Sequence, residues 1–317
     1  MEKNKNIKLI VQIPCLNEEK TLPITLNTIS RCIDGVAKVE VLVVDDGSKD
    51  KTKEIADKLG VDHIERLSKT HGLANAFKVG LNSCLKNGAD IIVNMDADNQ
   101  YRGEDIPRLI KPILEGRADI VIGNRRINRI RSFSLFKKIL QYFGSWVVRH
   151  LSGTRIQDVT TGFRAYSREA ALRINVLSDY TYTLETIIQA GKESVVIENI
   201  EVDTNKSLRK SRLFKNIFEY LLKSVITIIR VYSMFNPLKV FFTIGAITFS
   251  FGVFIGVRFL YFYFTGGGSG HIQSLILVAI FLIFGFQIIL IGLLADLIAS
   301  NRKLIEDVLY RLKKEAL

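Results

Sequence analysis

"ADIIVNMDADNQY", residues 89–101, decides how the first two thirds of this chain are read. Asp90 to Val93 form a short β-branched run of the kind that fills a buried strand. Asp96 and Asp98 follow, one residue apart, with Gln100 next on the same alternation. In an extended segment residues i and i+2 face the same way, so these three side chains are expected to converge at the strand's carboxyl end. Two carboxylates that close repel unless a positive charge sits between them. Oxygen donors of this kind suit a hard divalent cation, Mg2+ or Mn2+.

Three further apolar runs flank this one: "IKLIVQIP" (7–14), "EVLVVDDGS" (40–48) and "ADIVIGNRR" (118–126). Helical patterns separate them at about 18–33, 50–59, 71–87 and 104–115. Strands alternating with helices predict an α/β fold with a mostly parallel sheet and helices on both faces. Ligands of such sheets bind beyond the carboxyl ends of the strands. All four runs end there in polar or special residues: Pro14–Glu18, Asp45–Ser48, Asp96–Gln100 and Gly123–Arg126. The chain has no Walker A pattern, and no G-x-G-x-x-G follows the first strand. The phosphates of a bound nucleotide must be held another way, and a cation on Asp96 and Asp98 would do it.

The remaining third is greasy. The chain has 317 residues, a formal net charge of +12 and 48% hydrophobic residues, which points to a membrane surface before nucleic acid. Val240–Val257 and Ile272–Ala295 carry no charge, and each is about the roughly 20 residues a bilayer core requires. Lys210, Arg212, Lys215, Lys223, Arg230 and Lys239 precede them; Arg302, Lys303, Arg311, Lys313 and Lys314 follow; the link "TGGGSGH" (265–271) has no Lys or Arg. The positive-inside rule puts both termini in the cytoplasm and the link outside. Residues 132–153 and 211–236 read as basic amphipathic helices lying at the interface. Between Asp119 and Asp158 there is no acid, against eight Lys or Arg. "MEKNKNIKLIVQIP" has too short an apolar run for a signal peptide, and Cys15, Cys32 and Cys84 read as free thiols.

The motifs "IPCLNEE", "VVDDGSKDKT", "NMDADNQY", "GNRR" and "DVTTGFRAY", in that order, resemble the family 2 glycosyltransferases. The similar branch is that of dolichol-phosphate mannose synthase and the bacterial polyprenyl-phosphate glucosyltransferases. The resemblance implies a GT-A fold over residues 1–210, the interfacial helix at 211–236, two transmembrane helices within 237–299 and a basic cytoplasmic tail at 300–317. It implies a nucleoside-diphosphate sugar donor (UDP- or GDP-hexose), a polyprenyl phosphate acceptor (undecaprenyl or dolichyl phosphate) and a home in the cytoplasmic membrane, and it leaves the oligomeric state open, since relatives with two spans can assemble as tetramers. By position, Pro14, Leu16 and Glu18 would border the nucleotide, Asp45 or Asp46 would meet the base, and Asp96 and Ala97 would line the donor pocket. Asp98 and Gln100, with Asp96, would ligate the metal. Arg125, Arg126, Lys137 and Arg212, the last within the Arg209–Arg212 cluster, would face the acceptor phosphate. The chain departs from the family in three places. Leu16 stands where an aromatic is common, "NRR" replaces "SRY", and Lys137 replaces an Arg.

Residue chemistry leads the same way. A nucleoside diphosphate leaves with charge developing on its bridging oxygen, which a divalent metal stabilises. A polyprenyl phosphate is already an anion, with a second pKa of about 6, and attacks without a general base. It needs cations that bring one anion up to another, and Arg125, Arg126, Lys137 and Arg212 are of that kind. The reaction expected is inverting transfer of one hexose. A hydroxyl acceptor, in glycolipid or polysaccharide synthesis, would instead need a base; Glu185 is the candidate. The chain lacks the Q-x-x-R-W motif of processive synthases. A membrane-anchored nucleotide-sugar sensor is the non-catalytic alternative, and the intact set of acids and cations argues against it.

Overall fold

The computed structural model describes residues 6–125, 145–146, 148–149, 153–154, 156–176, 182–192, 195–205, 222, 225–226, 229–230, 232–265 and 272–317. These group into two units: Met1–Ile228 with Tyr310–Leu317, and Ile229–Leu309.

The first unit is built on one seven-stranded sheet. Its strands are β1 (Lys8–Cys15), β2 (Lys38–Asp45), β3 (His63–Arg66), β4 (Ile91–Asn94), β5 (Ile120–Asn124), β6 (Arg164–Ser167) and β7 (Ile197–Glu201), in the spatial order β3-β2-β1-β4-β6-β5-β7. The four expected strands are β1, β2, β4 and β5. From Leu9 to Cys15 and from Val39 to Asp45 every residue is buried, as befits parallel strands covered on both faces. β6 alone runs antiparallel, paired to β4 (Asn94 opposite Arg164) and to β5 (Ile122 opposite Arg164). The segment leading into β6 therefore reaches the same edge at which β4 and β5 end.

The helices are α1 (Leu22–Asn27), α2 (Thr52–Lys58), α3 (Leu73–Lys86), α4 (Ile106–Leu114), α5 (Arg168–Arg173) and α6 (Thr183–Lys192). α5 has a complete local code. Ser167 accepts a hydrogen bond from the amide of Ala170, Glu169 sits in the first turn and Arg173 in the last, each favourable to the helix dipole. The helix expected over 18–33 shrinks to α1 because side chains take its first amides. Glu18 N donates to Thr52 Oγ1 at 2.8 Å and Glu19 N to Asp50 Oδ2 at 3.2 Å, holding 16–21 as a loop. An apolar core of Leu9, Val11, Ile13, Val41, Val43, Val93, Ile106, Leu109 and Phe163, with their neighbours, lies on one face of the sheet.

The second unit contains α7 (Pro237–Phe264) and most of α8 (Ile272–Ala316), both long and apolar enough to cross a membrane. They meet through glycines one heptad apart, Gly245 and Gly252 on α7, Gly285 and Gly292 on α8, which are among their few buried residues. A Cβ on Gly285 would fall 2.6 Å from the amide nitrogen of Phe249. Backbones that close are how helices associate where lipid removes the hydrophobic drive. α8 continues as a helix through most of the basic segment 300–317. The helices expected at 132–153 and 211–236 lie largely outside the described residues.

Candidate active site

The carboxyl edge of the sheet gathers the loops after β1, β2, β4 and β5 and the loop before β6. The first two are latched together. Asn17, at φ +55°, donates its amide to Ser48 Oγ at 2.8 Å and accepts from Lys49 N at 2.8 Å. Pro14 and Glu18 are buried and Leu16 half-buried along this seam. Glu18 accepts from Thr21 Oγ1 at 2.6 Å, so its carboxylate holds its own loop.

Asp45 and Asp46 divide sharply. Asp46 spends both oxygens on the amides of His71 (2.8 Å) and Gly72 (2.9 Å), just before α3. Asp45 accepts from Ser48 N at 2.8 Å through Oδ1. Its Oδ2 is buried without a hydrogen bond and lies 3.4 Å from Arg66 Nε. Arg66 thus meets the charge of this oxygen but gives it no hydrogen bond. Ser48 and Arg66 also line a cleft of about 750 Å3 with Gly47, Lys49, Leu67, Ser68, Lys69 and Thr70, of a size usual for small-molecule sites.

After β4 the backbone turns instead of running on extended. Asn99 takes φ +56°, and Gln100 N donates to Asp98 Oδ1 at 3.0 Å. The alternation expected of a strand nevertheless persists in burial. Asp96, Asp98 and Gln100 are half-exposed, while Met95, Ala97, Asn99 and Tyr101 are buried. Thr25 Oγ1 donates to Ala97 O at 3.1 Å, which fixes the turn to α1. Behind Asp96 is a buried polar network. Gln12 Nε2 donates to Asn94 Oδ1 (2.9 Å), and Asn94 Nδ2 donates to Gly162 O (2.7 Å) and to Tyr182 Oη (2.9 Å). A Cβ on Gly162 would lie 2.8 Å from both Asp96 oxygens and 3.0 Å from Tyr182 Oη, so only glycine fits beneath this acid. Gly162 N and Thr161 Oγ1 both donate to Tyr101 Oη. Burial and the nearby Asp96 push Tyr182 well above the ordinary phenol pKa, and burial pushes Tyr101 up to about 12. Both phenols stay neutral beside the acid.

Arg125 leaves β5 and turns into a clamp. Its Nε donates to Asp158 Oδ2 at 2.6 Å, its Nη2 to Asp158 Oδ1 at 3.0 Å and to Thr160 Oγ1 at 2.6 Å. Both charges are buried. Burial opposes ionisation of each, yet their mutual attraction prevails, raising the Arg125 pKa and lowering that of Asp158. Arg164, also buried, ties the same loop from below, donating to Thr161 O, Val159 O, Thr183 O and Thr186 Oγ1 at 2.8–3.0 Å.

A profile of the family described as Glycosyl transferase family 2 matches residues 10–174. The chain is a family 2 glycosyltransferase. Among relatives, the undecaprenyl-phosphate mannosyltransferase of Micrococcus luteus is 33% identical over 54% of this chain and 70% of its own length. The undecaprenyl-phosphate 4-deoxy-4-formamido-L-arabinose transferase of Photorhabdus laumondii is 29% identical over 92% of this chain and 88% of its own. Glucosyl-3-phosphoglycerate synthase from Mycobacterium tuberculosis, solved with Mn2+, UDP-glucose and phosphoglyceric acid, superposes with a TM-score of 0.57 at 20% identity, over 72% of this chain and 80% of that one. The likeness establishes the GT-A fold.

In this glycosyltransferase Pro14, Leu16, Glu18, Asp45, Asp46, Asp96, Ala97, Asp98, Gln100 and Arg125 all stand at one edge of the sheet. Arg126, Lys137 and Arg212 lie outside the described residues. Glu185 is buried in α6. Sequence reading passed over Gln12, Asn94, Tyr101, Tyr182 and Arg164 as site-forming residues. Their hydrogen bonds join positions up to 88 residues apart, beyond any local periodicity. The one local hint was a lone polar residue in each of two apolar strands, Gln12 and Asn94.

Proposed function

We propose that this glycosyltransferase moves one hexose, with inversion, from a UDP- or GDP-sugar to a polyprenyl phosphate at the cytoplasmic face of the membrane. The observation that carries the acceptor is the extent of likeness to the Photorhabdus laumondii enzyme, which runs through both apolar helices. A long isoprenoid tail needs a bilayer, and this chain supplies its own anchor.

The nucleotide base lies in the cleft beside Asp45, whose Oδ2 awaits a donor; Asp46 is committed to the His71 and Gly72 amides. Asp96, Asp98 and Gln100 would hold a divalent cation. Their hard oxygens suit Mg2+ or Mn2+, and no group of three acidic, His or Cys side chains among the described residues makes a closed site. That donor set fits a metal bound by two carboxylates and completed by substrate phosphates. When bound, the cation neutralises charge on the departing diphosphate. Gly162 and Tyr182 pack against Asp96 and hold it in one place. Arg125 presents its remaining nitrogen to the acceptor phosphate, with Arg126, Lys137 and Arg212 as further cations. The phosphate oxygen attacks the anomeric carbon, the bond to the diphosphate breaks, and no protein base is required.

The test is acceptor competition. Full-length protein with labelled donor and Mn2+ is offered polyprenyl phosphate or the matching polyprenol. Transfer to the phosphate, giving an acid-labile phosphodiester-linked sugar, is expected; transfer to the alcohol alone overturns the reading.

A further inference from the structure

Thr160 is the member of the Arg125 clamp with no charge of its own. Its hydroxyl accepts from Arg125 Nη2 at 2.6 Å and donates to Asp158 Oδ1 at 3.0 Å, and its amide donates to the same oxygen at 3.2 Å. The hydroxyl's one proton is therefore committed, and so is one side of the guanidinium. Guanidinium has five N–H groups in a fixed plane. Nε gives its one to Asp158, and Nη2 gives its two to Asp158 and Thr160. Among the described residues Nη1 has no hydrogen-bond partner, which leaves its two N–H groups to a ligand. Asp158 is fully buried, whereas Thr160 is half-exposed.

We propose that Thr160 is a positioning residue that sets how Arg125 reads its ligand: it consumes Nη2 and leaves the arginine to offer Nη1 end-on, to a single phosphate oxygen. Arginine otherwise grips carboxylates and phosphates side-on with two parallel bonds. The end-on presentation suits a terminal phosphate monoester whose other oxygens are taken by other groups. Without the Thr160 hydroxyl the plane is anchored by Asp158 alone and can swing about that pair. This rests on the reading that Arg125 faces the acceptor phosphate.

The experiment measures the dissociation constant of undecaprenyl phosphate for the full-length protein in detergent, with undecaprenol as the neutral control. Thr160→Val keeps the shape and removes the hydroxyl; Thr160→Ser restores it. Thr160→Val should weaken binding of the phosphate about tenfold, the scale of one hydrogen bond to a charged group. It should leave the alcohol and the nucleoside diphosphate unaffected, and Thr160→Ser should return the phosphate affinity to within about twofold of the parent. Arg125→Lys separates the two layers. If Arg125→Lys leaves phosphate affinity unchanged, the acceptor role of Arg125 is wrong. If Arg125→Lys weakens it and Thr160→Val does not, the role assigned to Thr160 is wrong. Equal loss for phosphate, alcohol and nucleotide, or no recovery in Thr160→Ser, would reduce Thr160 to a packing residue and overturn the proposal as well.

Discussion

Glu40 and Asp98 are carboxylates at opposite edges of one sheet, and their surroundings differ in kind. Glu40, near the amino end of β2, is met by Lys8 Nζ at 2.8 Å, Lys38 Nζ at 2.6 Å and His63 Nε2 at 2.7 Å. All three partners there are supplied by the chain. At the carboxyl edge Asp98 and Asp96 are half-exposed; Asp98 accepts from the Gln100 amide, and Asp96 lies beside Gly162 and Tyr182 and within electrostatic reach of Arg125. The first arrangement is closed and serves stability. The second is open on one side and keeps negative charge where a ligand can reach it.

That contrast can be broken most forcefully at Asp98. Asp98→Ala should cut labelled-sugar transfer by about a thousandfold, the upper scale for losing one preorganised electrostatic contact, while the thermal midpoint stays put. A folded Asp98→Ala enzyme with parental turnover would erase the distinction between the two edges. Next in size is the Arg125 clamp, a buried pair at the open edge. Asp158→Ala leaves an uncompensated buried guanidinium, and urea unfolding of the detergent-solubilised protein should lose about 3–5 kcal/mol. The smallest effect belongs to the closed edge. Burial would raise the Glu40 pKa, but hydrogen bonds from Lys38, Lys8 and His63 and the charge of Lys8 hold it down at about 2, against 4.5 ordinarily. A carboxyl lowered on folding stabilises fully above its unfolded value, and the benefit fades as pH falls from about 4.5 through about 2. The parent should therefore lose thermal midpoint across that window, by about 2–4 °C for each kcal/mol. Glu40→Gln should show less loss there and a lower midpoint at neutral pH. A parallel acid response in the two proteins would mean that the Glu40 cluster contributes nothing.

Much of this was legible in the chain. The four apolar runs became β1, β2, β4 and β5 because parallel strands buried on both faces leave continuous hydrophobic signatures. The acids at 96 and 98 were found by the same reading, although a turn and not a strand places them. "HIER", "RAYS" and "IENIE" stayed hidden because β3, β6 and β7 are short and carry charged residues. Arg164 was invisible for a different reason. A buried arginine is recognised only by the carbonyls that surround it, and these come from Val159, Thr161 and Thr183. Asp45 and Asp46 looked interchangeable in sequence, and only the amides of residues 71 and 72 tell them apart.

The reversed direction of β6 has a consequence for how the protein is born. A ribosome that has just added Asn124 has already made both acids and most of the parallel sheet. Gly162, Asp158, Thr160 and Tyr182 do not yet exist, and β4 has no neighbour on its β6 side. The nascent sheet must wait with an open strand edge until the later segment arrives and inserts between β4 and β5. Such distant pairings are slow to form, so the half-made domain depends on its late-arriving strand for protection from aggregation as well as for its chemistry.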